Sequence, residues 1–121
     1  MPITFTIDHA KKQLRSAAVG PVGYAEIASH LAQEKQTQSL SYRELVNGRD
    51  AVATFTPDEA RNIVELLRSL AQETSIGRKA VVAPPGIAFG LTRMIEMLAE
   101  DICEVRAFLD EGKALQWLER G

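Results

Sequence analysis

The sequence is poor in the residues that mark several common classes of protein. Its 121 residues include a single cysteine, Cys103, so no disulfide can form within the chain. No apolar window approaches the roughly 18 residues that a membrane-spanning helix needs, and no membrane span is therefore expected. A lone cysteine and the lack of an apolar leader favour the reducing cytoplasm as the location of the protein.

The sequence also lacks an excess of charge of either sign. It has 14 basic and 16 acidic residues, a formal net charge of −2, and the two kinds are mixed along the chain. A surface for nucleic acid or for an anionic membrane needs a run or stripe of Lys and Arg. The small cluster of Lys11, Lys12 and Arg15 lies close to Asp8 and is predicted to be a solvated hairpin end. We expect no nucleic-acid partner.

Motifs for catalysis, metal binding or phosphate binding are missing as well. Neither His9 nor His30 has a second ligand at metal-binding spacing, and both are expected at the surface. No P-loop and no G-x-S-x-G motif occurs. Cys103 has no flanking cation except Arg106 and is expected to be buried and unreactive. The sequence therefore predicts no catalytic residue, no metal and no cofactor.

The segments that are present predict five strands. A length of 121 residues with 45% apolar content fits one domain over residues 1–121. Alternation at 3–7 and a second segment at 13–19, ended by Gly20-Pro21, predict an antiparallel hairpin. Residues 42–46 predict a third strand, with a break at Asn47-Gly48, a pair typical of hairpins, and a short extension at 51–54. The continuous apolar run at 80–83 predicts a central strand covered on both faces, and 103–108 a fifth strand.

Four amphipathic helices are predicted between and after these strands. The first spans about 22–34, with Tyr24, Ile27 and Leu31 inside and His30 outside. The second begins with the capping box of Thr56, followed by Pro57 at its first position. The third spans about 87–100, and Asp110 caps the fourth. The predicted fold class is α/β, with a single mixed five-stranded sheet whose strands after the hairpin are mainly parallel.

The third helix carries two stripes. At about 100° per residue, one apolar stripe is predicted to face the sheet; it consists of Ile87, Leu91, Met94, Ile95 and Leu98. Phe89, Arg93 and Met97 fall near the opposite side, four residues apart. Two interpretations stay open: a flank covered by a neighbouring helix, or a partner-binding surface with a charged anchor.

Three segments resemble the SpoIIAA-like family of small bacterial proteins. They are GLTRMIE at 90–96, VRAF at 105–108 and ALQWL at 114–118, in the family's order of helix, strand and terminal helix. The resemblance covers nearly the whole chain. It implies a STAS-like fold, the architecture of anti-sigma-factor antagonists and of the lipid-carrying CRAL-TRIO domain. Because these motifs are mostly structural, the resemblance implies a fold more than an activity.

One departure from the anti-sigma-factor antagonists concerns regulation. Those proteins are switched by phosphorylation of a serine at the start of a helix, whereas this sequence has Thr54 and Thr56 there and no serine. Thr56 is accounted for as a helix cap. It is a weak candidate phosphoacceptor, since a phosphate there would face a helix N-terminus.

Two functional hypotheses follow. The preferred one is a non-enzymatic binding or regulatory module that engages a protein partner through the third helix. The alternative, implied by the CRAL-TRIO architecture, is a carrier or sensor of a small apolar or lipid-like ligand. A ligand is expected beyond the carboxyl ends of the parallel strands, near Asn47, Arg49 and Gly86. Self-association into a homo-oligomer is a further expectation, motivated by Phe89 and by the edge strand.

Overall fold

Strands and helices alternate along residues 2–120, the part of the chain that the computed structural model describes. The elements are β1 Ile3–Asp8, β2 Gln13–Val22, α1 Tyr24–Gln36, β3 Arg43–Ala53, α2 Pro57–Ala71, β4 Lys79–Val82, α3 Ile87–Leu98, β5 Val105–Phe108 and α4 Glu111–Glu119. Within these residues no helix combines the length and the apolar character needed to cross a bilayer.

The five strands form one mixed sheet in the order β1-β2-β3-β4-β5. β1 and β2 pair antiparallel, from Ile3 opposite Ala18 to Asp8 opposite Gln13, and every later pair is parallel. The predicted α/β class and mixed sheet are confirmed. The apolar run at 80–83 does form an interior strand, because β4 lies between β3 and β5.

Helices cover both faces of the sheet. The larger core lies on the face covered by α1, α2 and α3, where Leu31, Ile63 and Leu91 pack with Val105 of β5. The other face of β3 and β4 packs against α4, whose Ala114 and Leu118 contact Leu45 and Ala80. Because side chains alternate along a strand, neighbouring residues of β3 and β4 belong to different layers.

β3 is longer than predicted and passes through the Asn47-Gly48 pair without turning. Ala17 pairs with Asn47 but Val19 pairs with Asp50, so β3 carries one extra residue at a bulge. A Cβ on Gly48 would lie 2.9 Å from the carbonyl oxygen of Val82, so the bulge needs glycine there. The predicted break and separate extension are therefore wrong: a glycine inside a strand marks a bulge here.

β2 also continues past its predicted end. It runs through Gly20-Pro21 to Val22 and stays paired with β3, with Pro21 opposite Val52. β1 pairs with β2 only as far as Ala18, so beyond that point one side of β2 lacks a strand neighbour. A proline is tolerated where a strand has a free edge, and Gly20 adopts a positive φ of 75° just before it.

The capping box of α2 is confirmed. Thr56 Oγ1 accepts the N–H of Glu59 at 3.1 Å, and Glu59 Oε1 accepts the N–H of Thr56 at 2.9 Å. The buried face of this helix is apolar and consists of Ala60, Ile63, Val64, Leu67 and Leu70. The capping residues and the buried apolar face therefore favour the same helix.

The orientation of α3 differs from the prediction. Its buried side chains are Leu91, Thr92 and Ile95, whereas Ile87 is 78% exposed and Leu98 is 41% exposed. Relative to the prediction, the helix is rotated about its axis. Leu91 and Ile95, which are four residues apart and share one side of the helix, face the core. The hydroxyl of Thr92 donates to the carbonyl of Ala88 at 2.8 Å, and this bond makes its burial tolerable.

Two glycines provide a matched test of this packing. Gly77→Ala should lower the free energy of unfolding by about 1–3 kcal/mol or more, because its methyl group would overlap the carbonyl oxygens of Ser41 and Tyr42. Gly90→Ala should raise it by about 0.5–1 kcal/mol, since a Cβ on this helical glycine meets nothing. Urea unfolding of both variants checks the pair, and a destabilised Gly90→Ala would contradict the packing of α3.

Candidate functional site

Four ionisable side chains meet in the interior between α1 and the sheet. They are His30 and Glu34 of α1, Glu44 of β3 and Lys79 of β4, and none is more than 8% exposed. We call this set, together with the hydroxyl of Ser16 on β2, the buried ionic cluster. Buried charges on this scale are rare unless they are paired, so their contacts decide what they do.

Secondary structure brings these side chains together. His30 and Glu34 are four residues apart and lie on the same side of α1. Glu44 and Lys79 are direct partners in the parallel pairing of β3 and β4. Val46 and Val81 lie two residues further along the same strands and therefore face the same side of the sheet as Glu44 and Lys79. Both charged side chains thus point toward the face of the sheet that α1 covers.

Lys79 lies at the centre of the cluster. Its Nζ donates to Glu34 Oε1 at 3.0 Å and to Glu44 Oε1 at 2.8 Å. The other oxygen of Glu44, Oε2, lies 2.7 Å from His30 Nε2 and accepts the Ser16 hydroxyl at 2.5 Å. Both oxygens of Glu44 are therefore satisfied, and this carboxylate connects β2, β3, β4 and α1.

Two atoms of the cluster have no hydrogen-bond partner within residues 2–120. They are His30 Nδ1 and Glu34 Oε2. Glu34 Oε2 does lie 2.7 Å from His30 Nε2, but without the geometry of a hydrogen bond. Buried polar atoms are usually paired, so this unused capacity calls for an explanation.

The cluster changes the proton affinities of its members. Burial lowers the pKa of His30, but the close carboxylate of Glu34 and the hydrogen bond and charge of Glu44 outweigh it and raise that pKa from 6.5 to about 9. The pKa of Lys79 is raised in the same way, against burial, by both carboxylates. Both cations are therefore charged at neutral pH.

The two carboxylates move in opposite directions. Burial would raise the pKa of Glu44, but Lys79 and His30 hold it well below its ordinary value. Burial and the charge of Glu44 raise the pKa of Glu34. When two carboxylates lie this close, one of them ionises less easily than the other. Here that one is Glu34, which takes up a proton more readily than Glu44.

The cluster lacks the geometry of a serine catalytic triad. In a triad, the serine and the acid bind opposite nitrogens of the histidine ring. Here Ser16 Oγ lies 3.4 Å from His30 Nε2, the same nitrogen that contacts Glu44. The described geometry therefore fits a charge network better than an activated nucleophile.

The cluster also contains residue types that bind metal ions. The ligand atoms of His30, Glu34 and Glu44 all lie within 4.8 Å of one another. The ammonium group of Lys79 already lies between the two carboxylates, so a metal ion there would have to displace it. The expectation of no metal site stays a prediction.

An apolar cavity of about 160 Å³ lies next to the cluster. Its wall comes from all five strands and from α1, α2 and α3, and its only charged lining residues among those described are His30, Glu44 and Lys79. It extends from Lys79, at the start of β4, to Ala83 and Pro84, just beyond the end of that strand. Four residues of strand correspond to about 13 Å.

The residues predicted on α3 lie away from this cavity. Phe89 is half-buried, while Arg93 and Met97 are exposed, and Met97 is 63% exposed. Arg93 Nη1 lies 3.4 Å from Glu96 Oε2. None of the three lines the cavity, and their role in partner binding stays a prediction.

The residues predicted near the carboxyl ends of the strands do not line the cavity either. Asn47 is half-buried and its Oδ1 accepts the N–H of the exposed Arg49 at 3.1 Å. Gly86 is exposed at the N-cap of α3 with a φ of 103°. Thr56 is the exposed N-cap of α2. Their binding and phosphoacceptor roles also stay predictions.

The cluster was not predicted from the sequence, because His30 was expected on the outer face of α1. The structure shows His30 buried, so that expectation is wrong, whereas His9 is exposed as expected. A signal was available: His30 and Glu34 share the i, i+3, i+7 stripe of Ile27. Cys103 is buried as predicted, and burial raises the pKa of its thiol.

Comparisons with known proteins bear on the fold. No family model matches the sequence, and no curated protein matches it. The structure is similar to that of an uncharacterized protein of the DUF3478 family with a SpoIIAA-like fold from Shewanella loihica PV-4. The TM-score is 0.62 at 17% identity, over 96% of this chain and 93% of that chain. At this identity the likeness shows the fold: the chain has a SpoIIAA-like fold, as its resemblance to that family implied.

The raised pKa of His30 makes stability depend on pH. A pKa raised on folding stabilises the protein fully below pH 6.5, and this stabilisation is lost as the pH rises through about 9. We expect the free energy of unfolding to fall by about 1–3 kcal/mol over that range, allowing for solvent screening. Urea unfolding at a series of pH values measures the slope.

Two histidine variants identify the source of the slope. His30→Gln should flatten it, whereas His9→Gln should retain it because His9 is exposed. A wild-type protein whose stability stays constant from pH 6.5 to 9.5 would show that His30 is not held in its charged form.

Proposed function

We propose that this protein is a non-enzymatic binding protein that holds a small apolar molecule in the cavity beside the buried ionic cluster. The observation that carries the proposal is the cavity itself, about 160 Å³ of space with an almost wholly apolar wall. The SpoIIAA-like fold supports a binding module but does not specify a ligand. The single buried cysteine supports action in the cytoplasm.

The volume indicates the size of the ligand. An apolar cavity of roughly 150 Å³ stays dry and takes up benzene. The cavity in this protein is of that size. The proposed ligand therefore has a body about as large as one benzene ring or a short branched chain, and a long acyl chain would not fit without rearrangement.

The energetics of packing also support an occupant. A void left in a protein core costs roughly 24 cal/mol per Å³. A ligand of matching shape recovers contacts that the surrounding side chains otherwise lack.

A protein partner at α3 is the second candidate function. Three large apolar side chains of this one short helix are exposed: Ile87, Met97 and Leu98. Arg93, four residues before Met97, is also exposed. Apolar contact around a charged anchor is a usual composition for an interface, and a second copy of the chain is one such partner.

A small apolar probe tests the first candidate. Toluene should bind at a 1:1 ratio, shift the NMR signals of cavity residues such as Val46 and Val81, and raise the melting temperature. Native mass spectrometry of freshly purified protein should show an adduct of low mass. No binding of toluene or benzene, together with a clean apo mass, would contradict the proposal.

Two alanine variants control for the location of the probe. Ala88→Leu should abolish toluene binding because Ala88 of α3 lines the cavity and a larger side chain fills it. Ala32→Leu adds the same atoms on α1 at an exposed position outside the cavity and should leave binding intact. Equal binding by both variants would place toluene elsewhere.

A charge reversal tests the second candidate. Affinity capture with the wild-type chain should recover a partner protein in stoichiometric amount. Arg93→Glu should abolish that recovery, because it replaces the charged anchor of the exposed α3 surface. Arg61→Glu on the exposed side of α2 is the matched control and should keep recovery unchanged. Loss with both variants, or with neither, would count against α3 as the interface.

A further inference from the structure

We propose that the cavity selects a small monocarboxylic acid, with its apolar body in the cavity and its carboxyl group hydrogen-bonded to Lys79 at the cluster. This inference rests on the proposed function and names the class of ligand. The cavity has one charged end, where Lys79, His30 and Glu44 line it, and apart from Thr92 the rest of its lining side chains are apolar. An amphiphile with a single polar group matches that division.

The hydrogen-bond inventory of the cluster leaves donors free. An ammonium group has three hydrogens, and Lys79 uses two of them, on Glu34 and Glu44. Its third hydrogen has no acceptor among residues 2–120. His30 Nδ1 is a second buried nitrogen without a partner. Both groups belong to cationic side chains, and a carboxylate is the strongest common acceptor for such donors.

The acceptors of the cluster are already in use. Glu44 Oε1 accepts from Lys79, and Glu44 Oε2 accepts from Ser16 and lies 2.7 Å from His30 Nε2. Only Glu34 Oε2 lacks a hydrogen bond, and it already lies 2.7 Å from the imidazole. A ligand that brings only donors would therefore find little to bind, so an acceptor is favoured over an amine.

The charge balance explains how an anion is accommodated. With all four groups ionised, Lys79 and His30 carry two positive charges, and Glu34 and Glu44 carry two negative ones. A bound carboxylate would add an uncompensated negative charge to a site of low dielectric constant. Glu34 resolves this because burial and Glu44 already raise its pKa. Once Glu34 is protonated, the ligand carboxylate takes its place as the second anion.

The groups around Glu34 are consistent with this exchange. Facing it are His30 from the same helix, Glu44 from β3 and Lys79 from β4, with Ser16 of β2 on the far side of Glu44. Burial raises the pKa of the Cys103 thiol, although the charge of Lys79 acts in the opposite direction, and the thiol stays neutral. Glu34 is thus the group in the cluster that accepts a proton most easily.

Three probes of similar size separate the contributions. We expect benzoate to bind at least about tenfold more tightly than toluene or benzamide at pH 6.5, since a hydrogen bond to a charged group is worth that much or more. Benzoate affinity should then fall as the pH rises from 6.5 to 9.5, because His30, whose pKa is raised to about 9, loses its proton and its positive charge, while toluene affinity stays constant. Isothermal titration calorimetry measures both.

Two variants make the assignment specific. Glu34→Gln removes the competing anion and should bind benzoate severalfold more tightly than the wild type. The charge-balanced pair Glu44→Gln with Lys79→Met should reduce benzoate affinity to that of toluene on the same protein. If the pair does not fold, the Glu34→Gln comparison and the pH series still decide the question.

The outcomes are distinguishable. Toluene binding without any preference for benzoate, or benzoate affinity that is constant or rises with pH, overturns the carboxylic-acid inference and leaves the proposed function standing. Failure of all three probes to bind overturns both. A preference for benzoate that Glu34→Gln weakens would place the carboxyl group away from the cluster and would also overturn the inference.

Discussion

The pairing of two buried carboxylates with two buried cations constrains the rest of this structure. A single uncompensated charge in that position costs several kcal/mol, so the four side chains are tolerable only together. Glu44 and Lys79 are brought together by the register of β3 and β4, and His30 and Glu34 by one turn of α1. The requirement to pair them fixes where α1 lies over the sheet.

Stability alone is a weak reason to keep such a cluster. Replacing a buried ion network by apolar side chains of similar volume is often neutral or stabilising. The location of this network is therefore more informative than its energy. It forms one end of an apolar cavity, and its unused hydrogen-bonding capacity lies in Lys79, His30 and Glu34. A network kept for structure alone would be expected to satisfy its own members.

Much of the fold could be predicted from the sequence, because local patterns decided it. Alternation marked β1, the capping box at Thr56 marked α2, and a continuous apolar run marked β4. The bulge at Gly48 could not be predicted, because it depends on the close approach of Val82 from another strand. The rotation of α3 could not be predicted either: Ile87 is apolar but exposed, while Leu91 and Ile95 are the positions that face the core.

The buried ionic cluster could not be predicted from the sequence for a related reason. Each charged member occupies a position that the periodicity assigns to the core. Glu44 is two residues before Val46, Lys79 is two residues before Val81, and Glu34 follows Leu31 by three residues. Taken singly, each looks like an exception to the pattern. Only the strand register shows that the exceptions coincide in space and neutralise one another. The sequence contains the charges but not the distances between them.

The cavity itself follows from small side chains rather than from loose packing. Its wall includes Ala18, Gly48, Ala51, Ala83 and Ala88, which come from three strands or their ends and from α3. Strand positions facing a core usually carry Val or Ile, and a larger residue at any of these positions would reduce the space. Because several elements each place a small residue in this wall, the choice of residues at these positions creates the space. The charged end and the apolar part of the cavity thus arise from two different sets of residues, the buried ionic cluster and these small side chains.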